Sequence, residues 1–201
     1  MLKCPERSIL IGKRAFSIFY NGENKVKNTE NIILTGYMGS GKTSVSRALE
    51  GITELTFLDT DAEIERRAGK TISRIFAEDG EEAFRKLETG LLEEYLQNGW
   101  KGILSTGGGM PVREENRKLL RKLGKVIYLQ TSAETICDRL SGDTTRPLLA
   151  GLADREAKLA KIREMLSIRE PYYLETAHIT VETDGLAPGA IAEKILQNLD
   201  R

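Results

Sequence analysis

The sequence predicts a three-layer α/β/α fold, in which helices cover both faces of a five-stranded, mainly parallel sheet. From residue 31 onwards, short apolar runs alternate with longer segments of helical periodicity. Most of these runs are four or five residues long with little polar alternation, as in strands that are covered on both faces. Alternating strands and helices favour right-handed crossovers and parallel pairing. Ligands bind such sheets beyond the carboxyl ends of the strands, so the loops there are candidates for chemistry.

The predicted elements follow one another without an internal repeat. The candidate strands are residues 31–35, 55–58, 102–106, 125–129 and 178–181. The candidate helices are residues 44–50, 81–97, 114–123, 133–140, 155–169 and 189–199. A further helix is expected to begin near Ala62, directly after the second strand.

Composition excludes several classes of protein. A chain of 201 residues fits one domain. The 30 Lys and Arg residues balance 30 Asp and Glu residues, without the basic surplus of a nucleic-acid-binding protein. No apolar run approaches the ~18 residues of a membrane span. Two cysteines cannot build a disulfide framework, so a reducing, cytoplasmic location is expected.

Residues 1–30 differ from the remainder of the chain. Lys13 and Arg14 interrupt the apolar run that a secretory signal would need, and Glu6 and Glu23 disfavour a transit peptide. We therefore expect a disordered extension or an over-long translation start. The single folded domain is expected to occupy residues 31–201.

The first strand leads into a phosphate-binding loop, residues 36–43, which reads GYMGSGKT and matches G-x-x-x-x-G-K-[ST]. Its glycines let successive N–H groups point at one anion, and the following helix adds its positive N-terminus. Lys42 can reach the β- and γ-phosphate oxygens, and Thr43 offers a hydroxyl to magnesium. The loop therefore predicts binding of nucleotide phosphates.

Two further loops carry candidate residues for the second substrate. Asp59 and Asp61 follow the second strand, and in extended geometry both carboxylates would point the same way. One would face magnesium, and the other would orient an acceptor hydroxyl and take its proton. Alternatively one caps the next helix, most simply Asp61. Glycines 107–109 leave bare backbone for close approach of a ligand, or form a tight turn.

Three arginines have both a functional and an ordinary interpretation. Arg85 and Glu88 share a helix face, either as a surface ion pair or with Arg85 holding a carboxylate in the crevice. Arg146 lies in the polar segment 141–149, either a lid that brings positive charge to the phosphates or an exposed loop. Arg169 is predicted at a helix end, where it would cap carbonyls or bind an anion.

Together these motifs resemble the shikimate kinase family. They are the phosphate-binding loop, Asp59-Thr-Asp61, FRKLE at 84–88, the triple glycine, DTTRPLL at 143–149 and REPYY at 169–173. Their order and spacing match from about residue 31 to the end of the chain. Many families share the phosphate-binding loop, whereas the combination of the other motifs is far more specific.

The resemblance implies ATP-dependent phosphorylation of the 3-hydroxyl of shikimate, giving shikimate 3-phosphate and ADP on the route to chorismate and the aromatic amino acids. It implies ATP and Mg²⁺ as cofactors, a small-molecule partner, and a monomer without nucleic-acid or membrane partners. It also implies a fold similar to that of nucleoside monophosphate kinases, with a mobile lid at about residues 142–154.

The resemblance assigns a role to each matching position. The residues with catalytic roles are Lys42, Asp61 and Arg146. The ATP-binding residues are Gly39, Ser40, Gly41, Lys42, Thr43, Ser44, Arg139 and Arg146. The shikimate-binding residues are Asp61, Arg85, Gly107, Gly108, Gly109 and Arg169. The metal-binding residues are Thr43 and Asp59. In this scheme Arg85 and Arg169 hold the carboxylate, Asp61 holds the hydroxyls, Arg139 stacks on adenine, and Phe76 and Phe84 pack near the substrate.

Other functions remain open at the level of sequence. Gluconate kinase is a competing enzyme of the same superfamily, although the triple glycine and paired arginines argue against it. A kinase acting on a nucleotide would need a base-binding pocket that the sequence does not reveal. A non-catalytic nucleotide switch would tolerate loss of Asp61 or Arg146, and both are present.

Overall fold

The computed structural model describes residues 30–141 and 154–199. Within them, five parallel strands form one sheet in the order β2-β3-β1-β4-β5. The strands are β1 Ile32–Thr35, β2 Phe57–Asp59, β3 Ile103–Ser105, β4 Lys125–Gln130 and β5 Ile179–Glu182. The predicted five-stranded parallel sheet is therefore confirmed, with strand boundaries within two residues of the expected ones.

Helices connect the strands. They are α1 Lys42–Ile52, α2 Thr60–Ala68, α3 Ile72–Glu78, α4 Glu81–Gln97, α5 Glu114–Leu123, α6 Ala133–Arg139, α7 Arg155–Thr176 and α8 Pro188–Leu199. A short 3₁₀ helix covers Met110–Val112. No helix in the described ranges is long and apolar enough to cross a bilayer. The predicted extension and lid lie outside the described residues, apart from Glu30 and Asp154.

Both faces of the sheet are covered, as the uninterrupted apolar strands predict. Side chains of successive strand residues point to opposite faces, so Ile32 and Leu34 pack with Leu49 of α1. Ile33 packs on the other face with Leu92 of α4. These side chains are fully buried. The sheet is therefore a rigid platform on which the loops at its carboxyl edge are held.

Helix α3 was not predicted from the sequence. Its N-cap is Thr71, whose side chain accepts a hydrogen bond from the N–H of Arg74 at 3.3 Å. Only Ile75 of its seven residues is fully buried. A single buried residue creates no detectable hydrophobic periodicity, so the sequence pattern does not predict this helix.

The predicted end of α7 was wrong. The helix continues beyond Arg169 and through Pro171 to Thr176. Proline removes one backbone hydrogen bond, but Tyr173 and Thr176 are buried beyond it and hold the final turn in place. Arg121 supplies the C-terminal cap, because its Nη1 donates to the carbonyl oxygen of Thr176 at 3.0 Å. Arg169 therefore lies inside a helix and does not cap its end.

The side chain of Asn31 links the segments that precede β3 and β4. Its Nδ2 donates to the carbonyl oxygens of Leu123 at 2.7 Å and Trp100 at 3.0 Å, and its Oδ1 accepts from the N–H of Gly102 at 3.0 Å. The residue is almost fully buried. One amide side chain thus satisfies three backbone groups that precede or adjoin β3 and β4.

We expect Asn31→Ala to lower the free energy of unfolding by about 2–4 kcal/mol, because backbone groups at a buried site lose their partners. Urea denaturation measures this change. Asn198→Ala is the matched control, since its Nδ2 donates to Lys194 O at an exposed position. Equal stability losses in the two variants would contradict the role given to Asn31.

Candidate active site

The strand order brings three of the predicted loops side by side. β1 lies between β3 and β4, and β3 lies between β1 and β2. Because all the strands are parallel, their carboxyl ends share one edge of the sheet. The phosphate-binding loop after β1, the Asp59–Asp61 segment after β2, and the glycine loop (residues 107–109) after β3 therefore adjoin one another.

The backbone of the phosphate-binding loop requires glycine. Gly41 is the N-cap of α1 with a left-handed φ of 94°. A Cβ at Gly36 would lie 2.9 Å from the carbonyl oxygen of Leu129. The ammonium of Lys42 donates to the carbonyl oxygens of Gly36 at 2.8 Å and Tyr37 at 2.9 Å, which holds it within the loop. This arrangement keeps a cation where phosphate oxygens would arrive.

The remaining predicted ATP-binding residues that the structure describes lie in this loop or next to it. Arg139 of α6 donates through Nη1 to the carbonyl oxygen of Gly39 at 3.1 Å. Ser40 is buried within the loop, whereas Thr43 and Ser44 are exposed in the first turn of α1. Arg146 lies outside the described residues, so its predicted contact with phosphate stays a prediction.

Asp59, rather than Asp61, caps the helix after β2. Asp59 Oδ1 accepts from the N–H groups of Asp61 at 3.0 Å and Ala62 at 3.4 Å. The expectation that Asp61 is the simpler cap was therefore wrong. The extended geometry also stops at Asp59, because α2 begins at Thr60. Asp61 is left in the first helical turn, and its carboxylate faces the glycine loop.

Asp59 also joins the phosphate-binding loop to β3. Its Oδ2 accepts from Thr43 Oγ1 at 3.4 Å and from Ser105 Oγ at 3.1 Å. Ser105 was missed in the sequence, although a polar residue at the end of a buried strand is a usable signal. The hydroxyl of Thr43 and the carboxylate of Asp59 provide the hard oxygen ligands that Mg²⁺ prefers.

No group of three or more His, Cys, Asp or Glu side chains suited to a metal occurs in residues 30–141 and 154–199. Thr43 and Asp59 thus resemble a partial ligand set, in which waters and substrate phosphates complete the shell of Mg²⁺. The two residues fit a nucleotide-associated magnesium ion better than a dedicated protein cage.

The glycine loop is packed against acidic and basic side chains without space for Cβ atoms. A Cβ at Gly107 would overlap Asp61 Oδ1, and one at Gly109 would lie 2.7 Å from Arg85 Nη1. The N–H of Gly107 donates to the hydroxyl of Thr60 at 2.9 Å. The triple glycine therefore permits close approach of side chains and is more than a simple turn.

Arg85 faces the crevice. The side chain of Arg85 is 15% exposed, and that of its partner Glu88 is 1% exposed. Arg85 Nη1 donates to Glu88 Oε2 at 2.9 Å, and Nη2 donates to Glu81 Oε1 at 2.8 Å. Its guanidinium also lies 5.5 Å from the centre of the Phe84 ring. These contacts fix the rotamer of Arg85 with its fork beside the glycine loop.

Glu88 has an unusual environment for a carboxylate. Burial raises its pKa to about 7, because Arg85 offsets only part of the desolvation and Asp61 adds repulsion. No hydrogen-bond partner of its Oε1 occurs among the described residues. The Glu88 carboxyl therefore takes up a proton at a higher pH than an exposed glutamate does.

Arg169 of α7 lies beside the phosphate-binding loop. Its guanidinium lies 5.8 Å from the centre of the Tyr37 ring, in the phosphate-binding loop. One turn further along α7, the hydroxyl of Tyr173 donates to the carbonyl oxygen of Gly108 at 2.6 Å. Tyr173 had no role among the predicted site residues, because a tyrosine in a helix is usually a packing residue. Asp61, Arg85, the glycine loop and Arg169 together form what we call the acceptor site.

We expect Glu88→Gln to flatten the pH dependence of stability. The raised pKa means that the folded state binds more protons than the unfolded chain up to about pH 7, so the unfolding free energy falls as pH rises through this window. Between pH 5 and pH 8, the unfolding free energy of the Gln variant should rise by about 1–3 kcal/mol relative to that of the wild type.

Urea denaturation at several pH values measures this effect. Glu93→Gln, at an exposed position of α4, controls for the change from carboxylate to amide. A difference between Glu88→Gln and the wild type that stays constant across pH would contradict the assigned environment of Glu88.

Comparison with known proteins shows which family the chain belongs to. The shikimate kinase family model matches residues 38–200. The shikimate kinase of Nitrosospira multiformis is 44% identical over 171 residues, which cover 85% of each chain. The structure of the Acinetobacter baumannii shikimate kinase in complex with shikimate is 43% identical, with a TM-score of 0.76, and covers 85% of this chain and 92% of its own.

A second solved structure shares the same architecture. The shikimate kinase of Bacteroides thetaiotaomicron is 30% identical with a TM-score of 0.77, over 86% of this chain and 99% of its own. Agreement extends over nearly all of the predicted domain, in sequence and in fold. This chain belongs to the shikimate kinase family and is a phosphotransferase with the P-loop kinase fold.

Proposed function

We propose that this chain transfers the γ-phosphoryl group of ATP to the 3-hydroxyl of shikimate, giving shikimate 3-phosphate and ADP. The observation that carries this proposal is the convergence of Asp61 and Arg85 on the glycine loop, beside the phosphate-binding loop. Shikimate is a small carboxylate with several hydroxyls. Such a molecule calls for a cationic fork at one end and a carboxylate at the other.

Arg85 and Arg169 would hold the carboxylate of shikimate. Arg85 is suited to this role because Glu88 and Glu81 already fix its guanidinium. A planar fork binds a carboxylate through two parallel hydrogen bonds. The glycine loop would present backbone groups to the ring hydroxyls at a distance that a side chain would prevent. The ring would thus be oriented before phosphoryl transfer begins.

Asp61 would accept the proton of the attacking hydroxyl. The oxygen then forms a bond to the γ-phosphorus, and the bond between that phosphorus and the bridging oxygen of ADP breaks. Orientation is the larger part of this catalysis, since phosphoryl transfer needs little covalent help from the protein. Proximity of the Asp61 carboxylate to Gly107 supports its role beside the ring hydroxyls.

The phosphate-binding loop would hold ATP through its N–H groups and Lys42, while Arg139 would lie on adenine. Thr43 and Asp59 would hold Mg²⁺, directly and through water, as their 3.4 Å separation allows. When bound, Mg²⁺ neutralises charge on the phosphates. Arg146, in the lid of about residues 142–154, would add positive charge to the transferring group and exclude water.

The wider biological setting is also part of the proposal. The lack of a basic surplus argues against nucleic-acid partners, and the presence of only two cysteines favours a reducing compartment such as the cytoplasm. The resemblance to the family adds a monomer that works on small molecules, without membrane partners. Residues 1–30 would be an extension with no part in catalysis, since the acceptor site and the phosphate-binding loop are built from later residues.

A coupled assay of ADP release tests the proposed function. With Mg-ATP we expect a shikimate-dependent rate within about 1–100 s⁻¹, the usual range for kinases. Gluconate and buffer without acceptor should give only background hydrolysis. An equal rate with gluconate, or a rate that does not depend on shikimate, would overturn the assignment.

We expect Asp61→Asn to lower kcat by about 10²–10⁴, the range for lost acid–base or orienting work. The Kd for ATP should stay close to that of the wild type, because Asp61 faces the glycine loop. Steady-state kinetics and calorimetry measure both quantities. The control is Asp79→Asn, an exposed carboxylate paired with Lys70. A kcat of wild-type size in Asp61→Asn would remove Asp61 from the mechanism.

We expect Gly109→Ala to raise the KM for shikimate about 10- to 100-fold, because a small displacement of a binding group carries a cost of this order. Gly109 has a φ of −96°, which alanine tolerates. The added methyl group would nevertheless push Arg85, whose Nη2 lies 2.8 Å from the Cβ position.

Gly90→Ala is the matched control, since nothing lies within 4 Å of a Cβ there. Its KM for shikimate should equal that of the wild type. A normal KM in Gly109→Ala, measured under the same conditions, would show that Arg85 does not need its present position.

A further inference from the structure

We infer that Thr60 and Tyr173 are positioning residues for the acceptor site, because their hydroxyls clamp the glycine loop from two sides. This inference rests on the proposed function, since it concerns the affinity for the phosphoryl acceptor. Neither side chain is a member of the acceptor site as defined above. Both belong to elements that flank it, α2 and α7.

The glycine loop cannot fix its own conformation. Three successive glycines have more backbone freedom than any other tripeptide, and freedom in a binding loop costs affinity. The 3₁₀ helix restrains two of its peptide groups, since the N–H groups of Met110 and Val112 donate to the carbonyl oxygens of Gly107 and Gly109, each at 3.1 Å. Side-chain contacts from outside the loop must restrain the peptide groups that remain. The hydroxyls of Thr60 and Tyr173 are placed to do this.

Thr60 holds the first peptide group of the loop. Its Oγ1 accepts from the N–H of Gly107 at 2.9 Å, and the side chain is fully buried. Thr60 stands between Asp59 and Asp61, so the same short segment that carries the acidic residues also fixes the glycine loop. This hydrogen bond thereby helps to hold the loop backbone beside Asp61.

Tyr173 holds the third peptide group of the loop, which joins Gly108 to Gly109. Its hydroxyl donates to Gly108 O at 2.6 Å. Gly108 C=O and Gly109 N–H belong to one planar trans peptide group, in which they point in opposite directions. Fixing the oxygen therefore fixes the direction of the Gly109 N–H. That N–H belongs to the glycine whose Cβ position lies against Arg85.

The Tyr173 ring is itself held rigidly. It is fully buried and stacks on Tyr128, with ring centres 5.2 Å apart. The Tyr128 hydroxyl donates to Glu170 Oε1 at 3.0 Å, and Gln130 Nε2 donates to the same oxygen at 2.9 Å. These bonds attach α7 to β4 beside the turn that carries Tyr173. The clamp is therefore connected to the central sheet.

Tyr173 also links the glycine loop to Arg169. The two residues are four apart on α7 and so share a face. Burial raises the pKa of Tyr173, and the charge of Arg169 together with a side-chain hydrogen bond offsets part of that rise. The Tyr173 hydroxyl thus connects Arg169, a cation of the acceptor site, to the glycine loop.

The first test removes the Tyr173 hydroxyl while keeping the ring. Tyr173→Phe should raise the KM for shikimate about tenfold, equivalent to losing one hydrogen bond to a fixed group. The KM for ATP should change less than about twofold. Tyr172→Phe is the matched control, since that ring lies 4.9 Å from Arg117, away from Gly108. It should alter neither constant.

The second test uses variants of Thr60 and does not depend on whether Tyr173→Phe folds. Thr60→Val removes the acceptor for the Gly107 N–H and should raise the KM for shikimate. Thr60→Ser retains the hydroxyl, so its KM for shikimate should stay close to that of the wild type. Equal KM values for the Val and Ser variants would refute the clamp at Thr60. A parallel rise in the KM values for ATP and shikimate would indicate a structural role only.

The outcomes separate this inference from the proposed function. A wild-type enzyme without shikimate-dependent ADP release would refute the proposed function. A wild-type enzyme that uses shikimate, with an unchanged KM for shikimate in both Tyr173→Phe and Thr60→Val, would refute the positioning role alone. Binding of shikimate measured by calorimetry without ATP should show the same loss of affinity as KM.

Discussion

The acceptor site depends on a constraint at the end of β3, where three successive glycines leave the backbone without side chains. Asp61, Arg85 and Tyr173 approach this loop from three different helices, and a Cβ at Gly107 or Gly109 would collide with the first two. Because the loop carries no side chains, the Asp61 carboxylate, the Arg85 guanidinium and backbone groups lie within reach of one small molecule. The conformational freedom that glycine introduces is offset by contacts from outside the loop.

Burial of Arg85 and Glu88 explains how this site can hold an anion. A buried ion pair normally satisfies its own charges and has little attraction left for a ligand. Here the raised pKa of Glu88 lowers its negative charge near neutral pH. In the proposed function, Arg85 would thus keep part of its positive charge for an incoming carboxylate, while its hydrogen bond to Glu88 still fixes its rotamer. A substrate anion would in turn compete with Glu88 for the same guanidinium.

Short sequence patterns predict those parts of this protein that depend only on residues close together in the chain. The phosphate-binding loop, the boundaries of α4 and α5, and the five strands follow from short patterns of glycine and apolar residues. Contacts between distant residues decide the rest. Asp59 caps α2 because β2 ends there, and α7 passes Pro171 because Tyr173 and Thr176 are buried. Ser105, Thr60 and Tyr173 gain roles only when the sheet order brings their partners close.

In the proposed function, Arg85 and Arg169 bind the carboxylate of the substrate. Calorimetric titration of the enzyme with shikimate and with its methyl ester tests this most directly. The ester keeps the ring and hydroxyls but removes the negative charge. We expect measurable binding of shikimate and at least tenfold weaker binding of the ester, since a charged hydrogen-bonded pair is lost. Equal affinities for the two compounds would contradict it.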